Sequence, residues 1–83
     1  FAARHSRYCN VFIDLGESRE LHVIIRKLKE AGVLIDSMDM GESKSAGEGI
    51  SVHMVLYIKN PAAREGIYDI LMSSDKVMAV DFL

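Results

Sequence analysis

Three carboxylates in the middle of the chain are the residues whose chemistry is easiest to propose. They are Asp36, Asp39 and Glu42, and Glu48 follows a few residues later. Carboxylate oxygens are the ligands that hard cations such as Mg²⁺ prefer, so this stretch is a candidate metal site. The same charges are also typical of an exposed edge strand, where they prevent pairing with other chains. Both interpretations stay open at this point.

The histidines and the single cysteine form no recognised catalytic or metal-binding pattern. His5 and Cys9 have a spacing that brings ligands together on a helix but not in extended chain, and His22 and His53 are isolated. One cysteine excludes an internal disulfide and a paired-cysteine metal or redox site. Asp14 is a lone carboxylate without a base or nucleophile beside it. We therefore expect no enzymatic activity and no cofactor.

The composition is that of a small globular domain. Of the 83 residues, 49% are hydrophobic and 27% are charged, which is not typical of disordered chains. One core of this size supplies a net stability of roughly 3–5 kcal/mol, so a second subunit would be useful. The net charge of -2 and the pI of about 5.9 speak against a nucleic-acid partner. The longest apolar run, residues 54–58, is far shorter than the roughly 20 residues of a membrane helix.

Hydrophobic periodicity predicts the elements of the first half. Tyr8 to Leu15 alternates between apolar and polar residues, which indicates a strand. Residues 18–31 have helical spacing, with Ser18 as the N-cap and Gly32 as the terminator. Residues 33–42 form a second strand whose apolar positions change phase. This phase change predicts a β-bulge near Asp36 and Ser37.

The second half repeats the strand–helix pattern. Glycines and serines at residues 41–49 predict a hairpin loop. Residues 50–59 alternate without a break, Asn60 and Pro61 open a second helix, and residues 77–83 form a last strand. The order β-α-β-β-α-β predicts an α+β, ferredoxin-like fold, with a four-stranded antiparallel sheet and two helices on one face.

The sheet face without helices is predicted to be unusually apolar. A solvated sheet face is typically polar, so this composition favours an interface with another domain or subunit. The alternative is that Tyr and Val simply have high strand propensity. The candidate interface residues are Tyr8, Phe12, His53, Val55 and Tyr57.

RNA-recognition modules share this topology and an aromatic open face. Residues 11–15 resemble their short first-strand motif, but residues 49–57 contain one aromatic residue and no preceding basic residue. Together with the acidic pI, this difference predicts no nucleic-acid partner.

The segment from Val11 to Met38 resembles an ACT domain. That family has an acidic residue and a glycine after the first strand, a Leu-x-x-x-Gly ending to the helix, and apolar residues in the next strand. The matching residues are Asp14, Gly16, Leu21, Leu28, Gly32, Val33 and Ile35. The proline usual in the family's first loop is absent.

ACT domains are regulatory, commonly pair, and often bind a small metabolite such as an amino acid at the interface. The resemblance therefore implies a homodimer with a ligand site between the copies. It implies one wall of that site in the first loop, at Asp14, Leu15, Gly16, Glu17 and Ser18. It implies the other wall on the second strand of the partner, at Ile35, Met38 and Met40.

A narrower resemblance is to the cytoplasmic C-terminal domain of the MgtC/SapB family of membrane proteins, which is ACT-like and follows several membrane helices. The start without methionine, the basic residues Arg4, His5 and Arg7, and the end at Leu83 carry it. It implies a basic leader at residues 1–7 and an ACT-like domain at residues 8–83. The implied function is a dimerising regulatory or assembly domain of a magnesium-transport-related protein of the inner or plasma membrane. The alternatives are an amino-acid-binding ACT domain of a soluble enzyme or regulator, and a dimerisation module without a ligand.

Overall fold

The elements follow one another in the predicted order. The structure, a computed structural model, describes residues 6–43 and 49–83. Its elements are β1 (Tyr8–Leu15), α1 (Glu20–Glu30), β2 (Val33–Glu42), β3 (Ile50–Ile58), a 3₁₀ helix (Pro61–Gly66), α2 (Ile67–Leu71) and β4 (Val77–Phe82). Arg4, His5, Glu48 and most of the predicted hairpin loop lie outside the described residues. The predicted bounds of β1 and β2 are confirmed, while β3 and β4 each end one residue earlier than predicted.

The four strands form one antiparallel sheet in the order β2-β3-β1-β4. Alternate side chains of the strands pack against α1 and α2 in a single core, so both helices lie on the same face of the sheet. This is the predicted ferredoxin-like α+β fold. The side chains that form the core are Val11, Ile13, Leu15, Leu21, Ile24, Leu28, Val33, Val52, Met54, Leu56, Ile58, Ile67, Leu71 and Val77.

The predicted β-bulge in β2 is confirmed. Ile35 pairs with Leu56 and Ser37 pairs with Val55, so Asp36 is the extra residue between them. Because cross-strand partners share a face, the bulge returns Met38 and later residues to the phase that the sequence pattern requires. The apolar residues before and after the bulge therefore point to the same side of the sheet, toward the helices.

The predicted N-cap at Ser18 is wrong. Helix α1 begins at Glu20, and the residue in the cap position, Arg19, makes no side-chain cap. The amides of Glu20 and Leu21 instead donate to the carbonyls of Glu17 and Ser18, at 3.2 and 3.1 Å. This turn of i→i+3 hydrogen bonds satisfies the first amides, so the Ser18 hydroxyl is not needed.

The second helix begins as predicted but is not one α-helix. The Asn60 side chain accepts a hydrogen bond from the amide of Ala62 at 3.2 Å, and Pro61 follows it as the first helical residue. The first six residues then form a 3₁₀ helix, and only Ile67–Leu71 are α-helical. Within the described part of the chain, no helix has the length and apolarity to cross a membrane.

Gly32 joins the end of α1 to the end of β3. Its φ of +89° is unfavourable for other residues, and a Cβ there would lie 2.8 Å from the Cβ of Asn60. Its carbonyl accepts hydrogen bonds from the amides of Lys59 and Asn60, at 2.8 and 3.2 Å. The predicted glycine terminator is confirmed, and it also fixes where the second helix starts.

Candidate functional site

The sheet face opposite the helices, called the open face below, has no covering layer among the described residues. Cross-strand partners share a face, so the strand register gives its residues row by row. In the order β2, β3, β1, β4 the rows are Leu34–Tyr57–Tyr8, then Ser37–Val55–Asn10, then Asp39–His53–Phe12–Asp81, then Gly41–Ser51–Asp14–Ala79. All five residues predicted for an interface lie on this one face.

The first row forms an apolar, aromatic end of the open face. The rings of Tyr8 and Tyr57 are tilted against each other with centroids 5.4 Å apart. Tyr8 is 49% exposed and Leu34, across Tyr57 on the edge strand, is 37% exposed. Three adjacent strands thus present a continuous apolar surface, which is the kind of surface that binds other proteins.

The third row holds an ordered aromatic pair between two carboxylates. Phe12 and His53 stack with centroids 4.5 Å apart and planes 22° apart. His53 Nε2 lies 2.9 Å from Asn10 Oδ1, which can only accept, so Nε2 carries a proton and donates. Asp39 pairs with His53 and Asp81 pairs with Phe12 at the two edges of the row. The hydrogen bond and the stacking fix the His53 ring before any partner binds.

The third and fourth rows form an acidic end of the open face. Asp14 lies in the fourth row and accepts a hydrogen bond from the Ser43 hydroxyl at 3.0 Å. Together with Asp39 and Asp81 it borders a depression of about 670 Å³ that Phe12 and His53 also line. The open face is therefore aromatic at one end and acidic at the other.

The loop after β1, predicted as one wall of a ligand site, is held by its own contacts. Leu15 is fully buried, and the amide of Gly16 donates to the carbonyl of Lys76 at 2.8 Å. Glu17 accepts a hydrogen bond from Arg19 at 3.0 Å and lies 3.4 Å from the Lys76 ammonium. These two cations, Arg19 first, lower the pKa of the Glu17 carboxyl.

A depression of about 500 Å³ lies beside this loop. Glu17, the exposed Ser18, Arg19 and Gly49 line it. Gly16, which the resemblance places at the ligand, would meet only ordinary contacts with a Cβ added. The glycine that the loop requires is Gly49, whose φ is +105° and whose added Cβ would lie 2.1 Å from the Leu15 carbonyl oxygen. Sequence reasoning placed Gly49 in a loop but did not single it out.

The other predicted wall lies on β2 and does not meet this loop within one chain. Ile35 is half-buried, while Met38 and Met40 are 37% and 61% exposed. Strand β3 separates β2 from β1, which places the two strands about 10 Å apart. Only a second copy could bring these residues to the loop of the first, as the resemblance implies.

The three carboxylates of the predicted metal site are not gathered. Asp36 is the extra residue of the bulge, and Asp39 lies on the open face. Glu42 pairs with Ile50, which in turn pairs with the buried Leu15, so it points to the helix side. Among residues 6–43 and 49–83 no group of three metal-ligating side chains lies together.

Two arginines that sequence reasoning missed hold the start of β1. The Arg7 guanidinium donates to the carbonyl of Lys59 at 2.9 Å, and the Arg7 carbonyl accepts from the amide of Ile58 at 2.6 Å. Arg64, on the 3₁₀ helix, donates to the carbonyls of Ser6 and Tyr8. Ser6 and Arg7 are thus hydrogen-bonded to the domain, and the predicted boundary after residue 7 stays a prediction.

Cys9 lies next to this anchored segment. Burial raises the pKa of its thiol, and the Arg64 charge offsets only part of that effect. A half-buried thiol with a raised pKa is a poor nucleophile, because the thiolate is the reactive form.

Known proteins add no identity to this geometry. The chain matches no family model, and the search of the curated proteins gives no match. A function can therefore be proposed only from the fold, the open face and the loop.

Proposed function

We propose that the chain is a non-enzymatic regulatory or assembly domain that pairs with a second copy through the open face. The observation that carries the proposal is the exposed aromatic surface on a sheet that no described element covers. Tyr8 and Phe12 on β1 are 49% and 39% exposed, and Leu34 on β2 is 37% exposed. Large exposed side chains that are contiguous across strands lose contact with water when a second sheet packs on them.

The size of the open face supports a weak pair. Strand β1 has 8 residues and the sheet has 4 strands, which gives a face of about 26 by 19 Å at ~3.3 Å per residue and ~4.8 Å per strand. Two such faces bury on the order of 1,000 Å², which is the lower limit for a specific interface. We therefore expect a reversible dimer, which a ligand or a neighbouring domain can shift toward either state.

The wider context that we propose is the cytoplasmic side of a MgtC/SapB-type, magnesium-transport-related membrane protein. The sequence resemblance supports this context, and in it the pairing of two domains would bias the attached membrane part. The gene sequence upstream of Phe1 tests it. Several apolar segments of roughly 20 residues there would support the proposal, whereas a soluble catalytic domain would contradict it.

Sedimentation equilibrium with two matched variants tests the pairing. The chain mass is 9.3 kDa, so a dimer sediments at twice that mass. Phe12→Glu places a charge in the centre of the open face and should give a monomer with an unchanged circular dichroism spectrum. Tyr68→Glu makes the same kind of change on α2, where Tyr68 is 51% exposed on the helix side, and should leave the dimer intact. A wild-type chain that stays monomeric at millimolar concentration would contradict the proposal.

A second candidate function is an amino-acid-binding regulatory domain. The observation that favours it is the depression beside the loop after β1, where Glu17 and Arg19 offer opposite charges to a zwitterion. Thermal melts with a panel of amino acids and with Mg²⁺ test it. A ligand at about 100 times its Kd raises the stability by about 2.7 kcal/mol. The absence of a shift with every amino acid at millimolar concentration would contradict this candidate.

A further inference from the structure

The open face carries opposite charges at its two ends. Asp39 and Asp81 lie in its third row and Asp14 in its fourth. Lys59 directly follows β3, and strand alternation from Tyr57 places it on the same side, beyond the aromatic end. It is exposed, and its amide donates to the Gly32 carbonyl at 2.8 Å, which holds its backbone beside β2. Eight residues of extended chain, about 26 Å, separate Lys59 from Ser51 in the fourth row.

Two symmetric arrangements can bring two open faces together. With the twofold axis along the strands, each row lies over the same row of the other copy. The three carboxylates of one acidic end then face the same three carboxylates of the other, and the two Lys59 side chains also face each other. With the axis across the strands, the rows are reversed, and each acidic end lies over the Lys59 end of the other copy. Like charges placed opposite each other across an interface are unfavourable.

We propose that two copies of this chain pair through their open faces with the axis across the strands, so that the aromatic end of each lies on the acidic end of the other. The inference rests on the proposed function and specifies its geometry. The second row, with Asn10 and Val55, then lies at the symmetry axis and meets itself.

This arrangement also matches the aromatic side chains. Reversing the rows about the second row places Tyr8 of one copy against Phe12 of the other, and Tyr57 of one copy against His53 of the other. Each ring then meets a ring, which is a favourable contact in offset or edge-to-face geometry. Lys59 reaches the fourth row, where Asp14 lies. Sheets packed face to face cross at about 30°, which brings Asp39 within reach of the same ammonium group.

The two arrangements predict opposite effects for the same substitution. In the proposed arrangement Asp39→Lys places a second cation near Lys59 at both ends of the dimer, so Kd should rise about tenfold. In the arrangement with the axis along the strands, the same change relieves carboxylate repulsion and should lower Kd. Combining Asp39→Lys with Lys59→Glu exchanges the charges and should restore Kd to within a few-fold of wild type.

Sedimentation equilibrium of these variants, with Asp69→Lys as the matched control, decides the question. Asp69 is exposed on α2, on the other side of the sheet, and its substitution should leave Kd unchanged. Higher salt should weaken the wild-type dimer, because the contacts between its ends are attractive. A dimer that Asp39→Lys strengthens or leaves unchanged would overturn the proposed arrangement but leave pairing itself intact. A chain that never dimerises would contradict the proposed function as well.

Discussion

Replacing Gly49 by Ala should destabilise the domain more than any other single methyl group added to a described glycine. At a φ of +105° a side chain is strained by about 1–3 kcal/mol. The added Cβ would also lie 2.1 Å from the Leu15 carbonyl oxygen and 3.1 Å from Gly16 Cα. Real Cβ atoms do not approach closer than about 3 Å, so the end of β1 must move, at a further cost of about 1–3 kcal/mol.

The expected total is therefore about 3 kcal/mol or more, which is most of the stability of a domain of this size. Gly41→Ala is the matched control, because an added Cβ there meets nothing within 4 Å. Urea unfolding followed by circular dichroism measures both. At an m-value of about 1 kcal/mol/M, the Gly49 variant should lose about 3 M in its midpoint.

A Gly49→Ala midpoint within experimental error of the Gly41→Ala midpoint would refute this reasoning. It would mean that the first residues of β3 are not packed on the loop after β1. The depression beside that loop would then not have the described shape, and the second candidate function would lose its structural support.

Two further predictions concern the ends of the domain's elements. Burial raises the pKa of Cys9 above its ordinary 9.0, so its contribution to stability is full below that pH and is lost as pH rises through the raised value. The fall in urea midpoint under alkaline conditions should thus be smaller in Cys9→Ala than in wild type, and an equal fall would contradict the assignment. Asn60→Ala removes the side chain that caps the 3₁₀ helix and should lower the free energy of unfolding by about 1 kcal/mol, whereas Asn60→Asp should retain most of it.

Strand positions and faces were predictable because alternation in a strand directly reports which side is buried. The phase change in β2 even located the bulge at Asp36, since Val33 and Met38 cannot face the helices without an extra residue between them. The residues of the open face followed from the same alternation. Their arrangement in rows did not, because the register between strands depends on pairings that one strand's sequence does not contain.

The features that sequence reasoning missed are contacts between distant segments. Arg64 reaches the carbonyls of Ser6 and Tyr8 across more than fifty residues, and Gly49 is required by the Leu15 carbonyl. The Ser18 cap was wrong for a related reason, since neighbouring carbonyls already satisfied the amides that it would have bonded. The two walls of the predicted ligand site came from a resemblance, and the sheet order separates them within one chain.

The central claim is that the open face is the surface through which two copies pair. A nuclear magnetic resonance dilution series tests it most directly, because aromatic and methyl signals report on individual side chains. The account predicts that the signals of Tyr8, Phe12, Val55 and Tyr57 shift together as the protein passes from dilute to millimolar solution, while those of Tyr68 on α2 stay constant. Concentration-dependent shifts confined to the helices or to the outer edge of β2, with the open face unchanged, would contradict it.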